Sequence, residues 1–278
     1  MKFNTTIALR LLLLLCPVAP AAAATTEAID VGGHKIVFHV TSGHLPAIVL
    51  DAGGGLDSSY WDGIVPELAE RTGAEIITYD RAGSGDSDEV PGPWSLQKAT
   101  NDLELGLKKL GATHGTILVS HSLAGEIATT LASRHPDWLA GAVLADANVP
   151  ELFTADFIAA SSAAYAPVIA EIKAAPPTKA GRQLLALSAS WKKTQSAFHK
   201  ATWPNAVPVI VIVSEKTPLD SPEGAQWWRD AHAQFAKKAN NRTLVTADGS
   251  SHDVAHDRPD AIINAVLALT AQVPRNAK

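Results

Sequence analysis

One pattern restricts this chain more than any other. Six short apolar runs, Ala47–Leu50, Glu75–Tyr79, Thr116–Val119, Gly141–Leu144, Val207–Val213 and Arg242–Thr246, recur along the sequence. Stretches of helical periodicity separate them: Tyr60–Arg71, Ser95–Leu110, Leu123–His135, Glu223–Ala239 and Pro259–Ala271. A strand followed by a helix and another strand calls for a crossover connection, and repeated crossovers build a parallel sheet covered on both faces. Upstream, Glu27–Val31 and His34–Thr41 flank Gly32-Gly33, which predicts an antiparallel hairpin at the start of the sheet. At 278 residues the chain suits one large α/β domain or two small ones. The expected fold class is α/β, with a doubly wound, mostly parallel sheet.

Two segments depart from the alternation. Residues 148–204 are rich in Ala and Ser and contain Pro176-Pro177. A structureless loop of that length is uncommon, so the stretch predicts two or three short helices split at the prolines. Open α/β sheets bind ligands beyond the carboxyl ends of their strands, which favours a helical lid or cap over a helical spacer without contact to substrate. The core is then residues 25–147 and 205–278. Residues 1–24 read differently: Lys2 and Arg10, five leucines at 11–15 and "CPVAPAAAA" have the order of a secretory signal peptide. Its removal takes two positive charges and no negative ones, moving the net charge from -5 to -7. The single cysteine, Cys16, leaves with it, so neither a disulfide nor a thiol nucleophile is expected. A secreted or periplasmic location follows, with no stable membrane insertion after cleavage. No basic stripe suggests nucleic acid.

The stretch "TILVSHSLAGEIA" passes from strand to helix through Ser122. A turn this sharp crowds its central residue and needs small residues two before and two after; here they are Ser120 and Ala124. Gly125 gives further room for the helix to approach the sheet. Such a turn lifts a serine hydroxyl above the sheet edge and aims the N–H of Leu123 at the same point. Ser122 as a plain helix N-cap is the simpler alternative. After Ala47–Leu50 comes Asp51-Ala52-Gly53-Gly54-Gly55, whose glycines permit backbone to approach a ligand closely. The turn "YDRAGSGDSD" reads as architectural, with Asp80 and Arg81 paired locally. It lacks the third glycine of a dinucleotide loop, and no metal-ligand pattern occurs, so no cofactor and no metal are expected.

Four segments in order, "IVLDAGGGLDSSYWD", "IITYDRAGSGDSD", "ILVSHSLAG" and "VTADGSSHDVAHDRPDAIINAV", resemble the α/β-hydrolase fold family, most closely serine hydrolases with a small helical cap. The resemblance implies Ser122 as nucleophile and His252 as its base, with His121 directed away from the reaction and His256 on the surface. It implies an oxyanion hole from the N–H groups of Leu123 and Gly53, with Gly54 as the alternative to Gly53. Thr217 stands where most relatives place the acid. The neighbouring Glu215 and Asp220 are candidates, but Asp146 lies directly after the run Gly141–Leu144, where catalytic side chains gather, and is preferred to Asp220. The implied activity is hydrolysis of a small-molecule acyl ester through an acyl-enzyme. Amide or carbon–carbon hydrolysis, acyl transfer and a non-catalytic binding protein are the rivals. Phe153, Phe157, Tyr165, Trp191, Phe198 and Trp203 in the insertion either face a substrate or pack the cap onto the core.

Overall fold

The computed structural model describes residues 24–176 and 178–272. The segment read as a signal peptide, apart from Ala24, lies outside the described residues. Eight strands form one sheet: β1 Ala24–Asp30, β2 Lys35–Thr41, β3 His44–Asp51, β4 Ala74–Asp80, β5 Thr116–His121, β6 Leu139–Ala145, β7 Val209–Ser214 and β8 Arg242–Ala247. Their spatial order is β1-β2-β4-β3-β5-β6-β7-β8. β1 and β2 form the expected hairpin and β2 pairs antiparallel with β4; from β4 to β8 every pairing is parallel. Gly32 and Gly33 turn the hairpin at φ 108° and 106°, and the Asp30 carboxylate accepts from both N–H groups.

The helices are α1 Val65–Thr72, α2 Leu96–Leu110, α3 Ala124–Arg134, α4 Ala155–Ala174, α5 Lys179–Phe198, α6 Pro222–Lys237, α7 Val254–Asp257 and α8 Pro259–Thr270. They divide the apolar core into two layers. Phe38, Ile77, Leu103, Leu107, Leu118, Ile127 and Leu131 lie on one face, while Ile48, Leu68, Ile76, Val119, Val143, Ile262 and Val266 lie on the other. Most central strand positions are therefore buried on both sides, which is why their sequences are apolar runs without polar alternation.

Two expectations need correction. The helix read over Tyr60–Arg71 is a short 3-10 turn, Ser58–Trp61, followed by α1. Pro66 stands in the first turn of α1, where its missing N–H costs nothing, so the helix restarts there. The insertion is not a set of short helices but two helices of 20 residues each, α4 and α5. Pro167 lies inside α4 without ending it. The carbonyl its ring frees, on Ala163, is on an exposed residue where water can satisfy it. Among the described residues the two helices are separated at Ala175, Pro176 and Thr178, where the split at the prolines was expected.

Packing between α2 and the sheet gives a direct test of this core. Gly106, inside α2, faces the buried ring of Phe38; a Cβ there would fall 2.0 Å from the ring edge. Phe38 is fully buried and stacks on Tyr79 at 5.4 Å, so it has no room to retreat. Alanine gains about 1 kcal/mol of helix propensity over glycine. Overpacking costs about 1–3 kcal/mol, so Gly106→Ala is expected to lower the thermal midpoint by several degrees despite the better helix former. A calorimetric scan showing an unchanged or raised midpoint would contradict this packing.

Candidate active site

The site is built at the carboxyl ends of β3, β5 and β6. Ser122 follows β5 directly and has φ 53°, a conformation that costs energy in a residue with a Cβ. The strain is held in place by close packing. Ala124 and Ser120 are both buried, and Gly125 passes so near the next strand's loop that a Cβ would meet the Asn148 carbonyl oxygen at 2.3 Å. Asn148 N–H donates to the Ser122 carbonyl at 2.8 Å, tying the turn to the end of β6.

Asp146 follows β6 and is the other described non-glycine residue with positive φ, at 45°. Its side chain is fully buried. One carboxylate oxygen accepts from the Ser214 N–H at 2.9 Å and the Trp228 indole N–H at 2.8 Å; the other accepts from the Ser214 hydroxyl at 2.7 Å and from His252 Nδ1 at 2.6 Å. Burial opposes its ionisation, but the His252 hydrogen bond, the nearby histidine charge and the Ser214 N–H outweigh burial and hold its pKa below the usual carboxylate value. The other ring nitrogen of His252, Nε2, lies 3.0 Å from Ser122 Oγ. Bonded to Asp146, Nδ1 carries the proton, which leaves Nε2 as the acceptor for the serine hydroxyl.

The alternative acids are elsewhere. Asp220 and Glu215 are exposed; Glu215 accepts from the Gly249 N–H at 2.6 Å, and Thr217 bonds the Leu219 carbonyl within its own loop. His256 is on the surface, paired with Asp253. His121 is buried beneath the His252 loop, and its Nε2–H donates to the His252 carbonyl at 2.9 Å. Burial, then the neighbouring His252, push its pKa down to about 4, so it is a neutral donor that holds the loop from below.

Facing Ser122 is the loop after β3. A Cβ on Gly53 would lie 3.2 Å from the Ser122 Cβ, whereas Gly54 faces Leu123 and Leu187. Among the described residues, neither the Gly53 N–H nor the Leu123 N–H has an acceptor. Leu123 begins α3, so its N–H also shares the positive end of the helix dipole.

The local Asp80–Arg81 pair does not form. Asp80 accepts from the N–H groups of Ser58 and Asp86, while Arg81 reaches across to the Asp51 carboxylate and to the carbonyl oxygens of Ala52 and Gly53. β4 runs beside β3, so a residue just past β4 meets the loop just past β3. Arg81 therefore holds the Gly53 loop in shape. This role, with those of Ser214, Trp228 and His121, was missed in the sequence, where only the neighbouring glycines mark the loops as crowded.

A cavity of about 600 Å³ opens onto Ser122 and His252. Phe153, Phe157, Tyr165 and Trp191 contribute to its walls, whereas Phe198 and Trp203 are buried and pack the cap onto the core. The aromatic set is thus divided between the two roles. α4 is long and apolar enough to cross a bilayer by length and composition, yet here it is one wall of this cavity. Among the described residues no cluster could hold a metal ion.

Residues 48–265 match the model of the alpha/beta hydrolase family. The chain belongs to that family. It is 26% identical over 217 residues to the uncharacterized protein YqjL of Bacillus subtilis, covering 77% of this chain and 79% of that one. Among solved structures it is similar to the haloalkane dehalogenase DbeA of Bradyrhizobium elkani, with TM-score 0.65, 18% identity and coverage of 90% and 98% of the two chains. It is also similar to a thermophilic esterase of Thermogutta terrifontis, with TM-score 0.59, 18% identity and coverage of 90% and 99%. At these identities the solved structures share the fold with this family member and nothing narrower.

The contact between Gly125 and Asn148 is open to test. Gly125→Ala would force α3 away from the β6 end and break the Asn148–Ser122 bond. A cost of about 1–3 kcal/mol in unfolding free energy is expected, read from the shift in denaturant midpoint. An alanine variant as stable as the parent would mean that the turn is looser than described.

Proposed function

We propose that this family member is a serine hydrolase that cleaves an acyl ester through an acyl-enzyme intermediate. The observation that carries the reading is the unbroken chain Asp146–His252–Ser122 at 2.6 and 3.0 Å, facing a cavity. Ser122 Oγ attacks the carbonyl carbon as His252 Nε2 takes its proton. Asp146 holds the imidazole in the needed tautomer and stabilises its charged form. The oxyanion gathers the N–H groups of Leu123 and Gly53. His252 then gives its proton to the leaving alcohol, and water, activated by the same imidazole, releases the acid.

The substrate's chemistry follows from the walls. Leu184, Leu187, Phe157 and Trp191 favour an apolar or aromatic group on the acyl or alcohol side. Among the described residues Lys173 and Lys192 line the cavity and no Asp or Glu does, which favours neutral or anionic esters over cationic ones. α4 and α5 act as a cap over the site. The DbeA likeness is one of fold, and the proposed chemistry rests on Ser122 and His252 of this chain instead.

Two variants test the mechanism. Ser122→Ala should abolish labelling by a fluorophosphonate probe and lower ester turnover on the order of a million-fold, as in the serine-protease precedent. Asp146→Asn should lower kcat by about ten-thousand-fold, with Asp220→Asn as a control that stays within about tenfold. Near-parental hydrolysis by Ser122→Ala would end the serine mechanism. An inactive Asp220→Asn would shift the acid.

Export is proposed on the composition of residues 1–24. Cleavage after Ala24 would leave Thr25–Asp30 to pair with β2. Mass spectrometry of the expressed protein should find an N-terminus near Thr25, and an intact Met1 on the exported product would refute cleavage.

A further inference from the structure

Glu126 is fully buried, one turn beyond the nucleophile candidate in the first turn of α3. Its Oε1 accepts from Asn148 Nδ2 and from Gln195 Nε2, both at 2.8 Å. Asn148 comes from the end of β6, and its own N–H grips the Ser122 carbonyl. Gln195 comes from α5 of the cap. One carboxyl oxygen therefore joins the nucleophile turn, the strand end behind it and the cap.

The accounting at the other atoms is incomplete in an informative way. Glu126 Oε2 is buried without a partner, and so is Gln195 Oε1. As written for a carboxylate, both are acceptors, and a charge is buried with them. Buried acceptors without donors are costly, and a buried charge costs more. One proton satisfies both atoms. A neutral carboxylic acid carries a hydroxyl on Oε2, and the amide whose N–H already bonds Oε1 carries an acceptor on the same carbon. The acid and the amide can then bond each other twice.

We propose that Glu126 is held as the neutral acid, bonded reciprocally to Gln195, and that it is the positioning residue through which the cap and the Ser122 turn are kept in register. The charged group that faces it is Arg81 beyond β4, already engaged with the Asp51 carboxylate; its other neighbours, Asn148 and Gln195, are neutral amides. Burial pushes the Glu126 pKa up to about 7 against the opposing effects of Gln195, Asn148 and Arg81. A folded pKa above the unfolded one means that this contribution to stability is whole below about 4.5 and declines as pH rises to about 7. Above that, the ionised carboxylate repels the Gln195 acceptor and loosens the cap joint.

The proposal rests on the serine-hydrolase reading for its activity arm and stands apart from it in the other. Glu126→Gln reproduces each bond of the neutral acid, since its amide N–H can donate where the acid hydroxyl did. The variant should match the parent within about twofold in kcat near pH 6. The ratio of variant to parent rate should then rise on the order of tenfold by about pH 8.5, as the parent ionises and the variant does not. Independently of turnover, infrared difference titration of the parent should show a protonated-carboxyl stretch that disappears with a midpoint of about 7 and is absent from Glu126→Gln. A rate ratio that is flat with pH overturns the proposal. So does the absence of that band near pH 6, or a Gln variant that is misfolded or inactive throughout, which would mean that an ionised Glu126 is needed opposite Arg81.

Discussion

The carboxylate of Asp146 is the constraint around which the site is arranged. It is ionised and has no exposure to water, a state that survives only with hydrogen-bond donors on both oxygens. Four donors are supplied, and they come from three separate places: the end of β7, the face of α6 and the loop after β8. Each partner is fixed by its own packing. Trp228 is buried and also meets the His252 ring edge-on at 5.6 Å, so one indole both donates to the acid and limits the tilt of the imidazole. The carboxylate thus determines where three chain segments end, and the position of His252 follows from it.

Orientation at Ser122 depends on a second set of close approaches. Ser122 and Asp146 share the same unusual backbone region, and each is the first residue past a central strand. The sheet delivers the chain to that point, and the left-handed conformation then turns the side chain back over the strand ends. Neither conformation would hold without what lies behind it: Gly125 against Asn148 for the first, and the Asp146 N–H bonded to the Ile212 carbonyl at 2.7 Å for the second. Opposite them, Arg81 gathers Asp51 and two loop carbonyls, so the Gly53 N–H points away from that grip. Strain at these two residues is supported by rigid contacts elsewhere.

Much of this was legible in the sequence because the relevant signals are local. The strands are short apolar runs and the helices have a period near 3.6, so the alternation and the parallel sheet follow from counting. The crowded turn at Ser122 is visible in the small residues around it, and Asp146 in its place after an apolar run. What was not legible depends on register between strands distant in sequence. Asp80 and Arg81 are adjacent and look like a pair, but consecutive residues leaving a strand point to opposite sides, so each finds a partner elsewhere. Ser214, Trp228 and His121 carry no pattern of their own; they matter through contacts that span 68 to 131 positions of chain. In the cap, the split near Pro176 was legible, but the helix lengths were not: the long Ala- and Ser-rich stretches on either side carry no internal stop, and α4 runs through Pro167.

The two cap helices are not restrained alike, and the difference bears on the cavity. α5 is fastened to the core along its length: Lys179 donates to the Gly85 and Ser87 carbonyls, Arg182 pairs with Glu89, Gln183 reaches Ser84 and the Ala186 carbonyl accepts from Trp94. Further along, Gln195 joins Glu126. α4 packs against α5 but presents Tyr165 and Val168 half exposed, and its buried residues lie in its first two turns. Local stability follows the density of such restraints, so α4 beyond Ser161 is the cavity wall with the lower cost of displacement. α5 fixes the position of Leu184 and Leu187 over the Gly53–Gly55 loop, beside Ser122. The end of the cavity near Ser122 is therefore the more firmly held one, and the end bounded by α4 the less restrained.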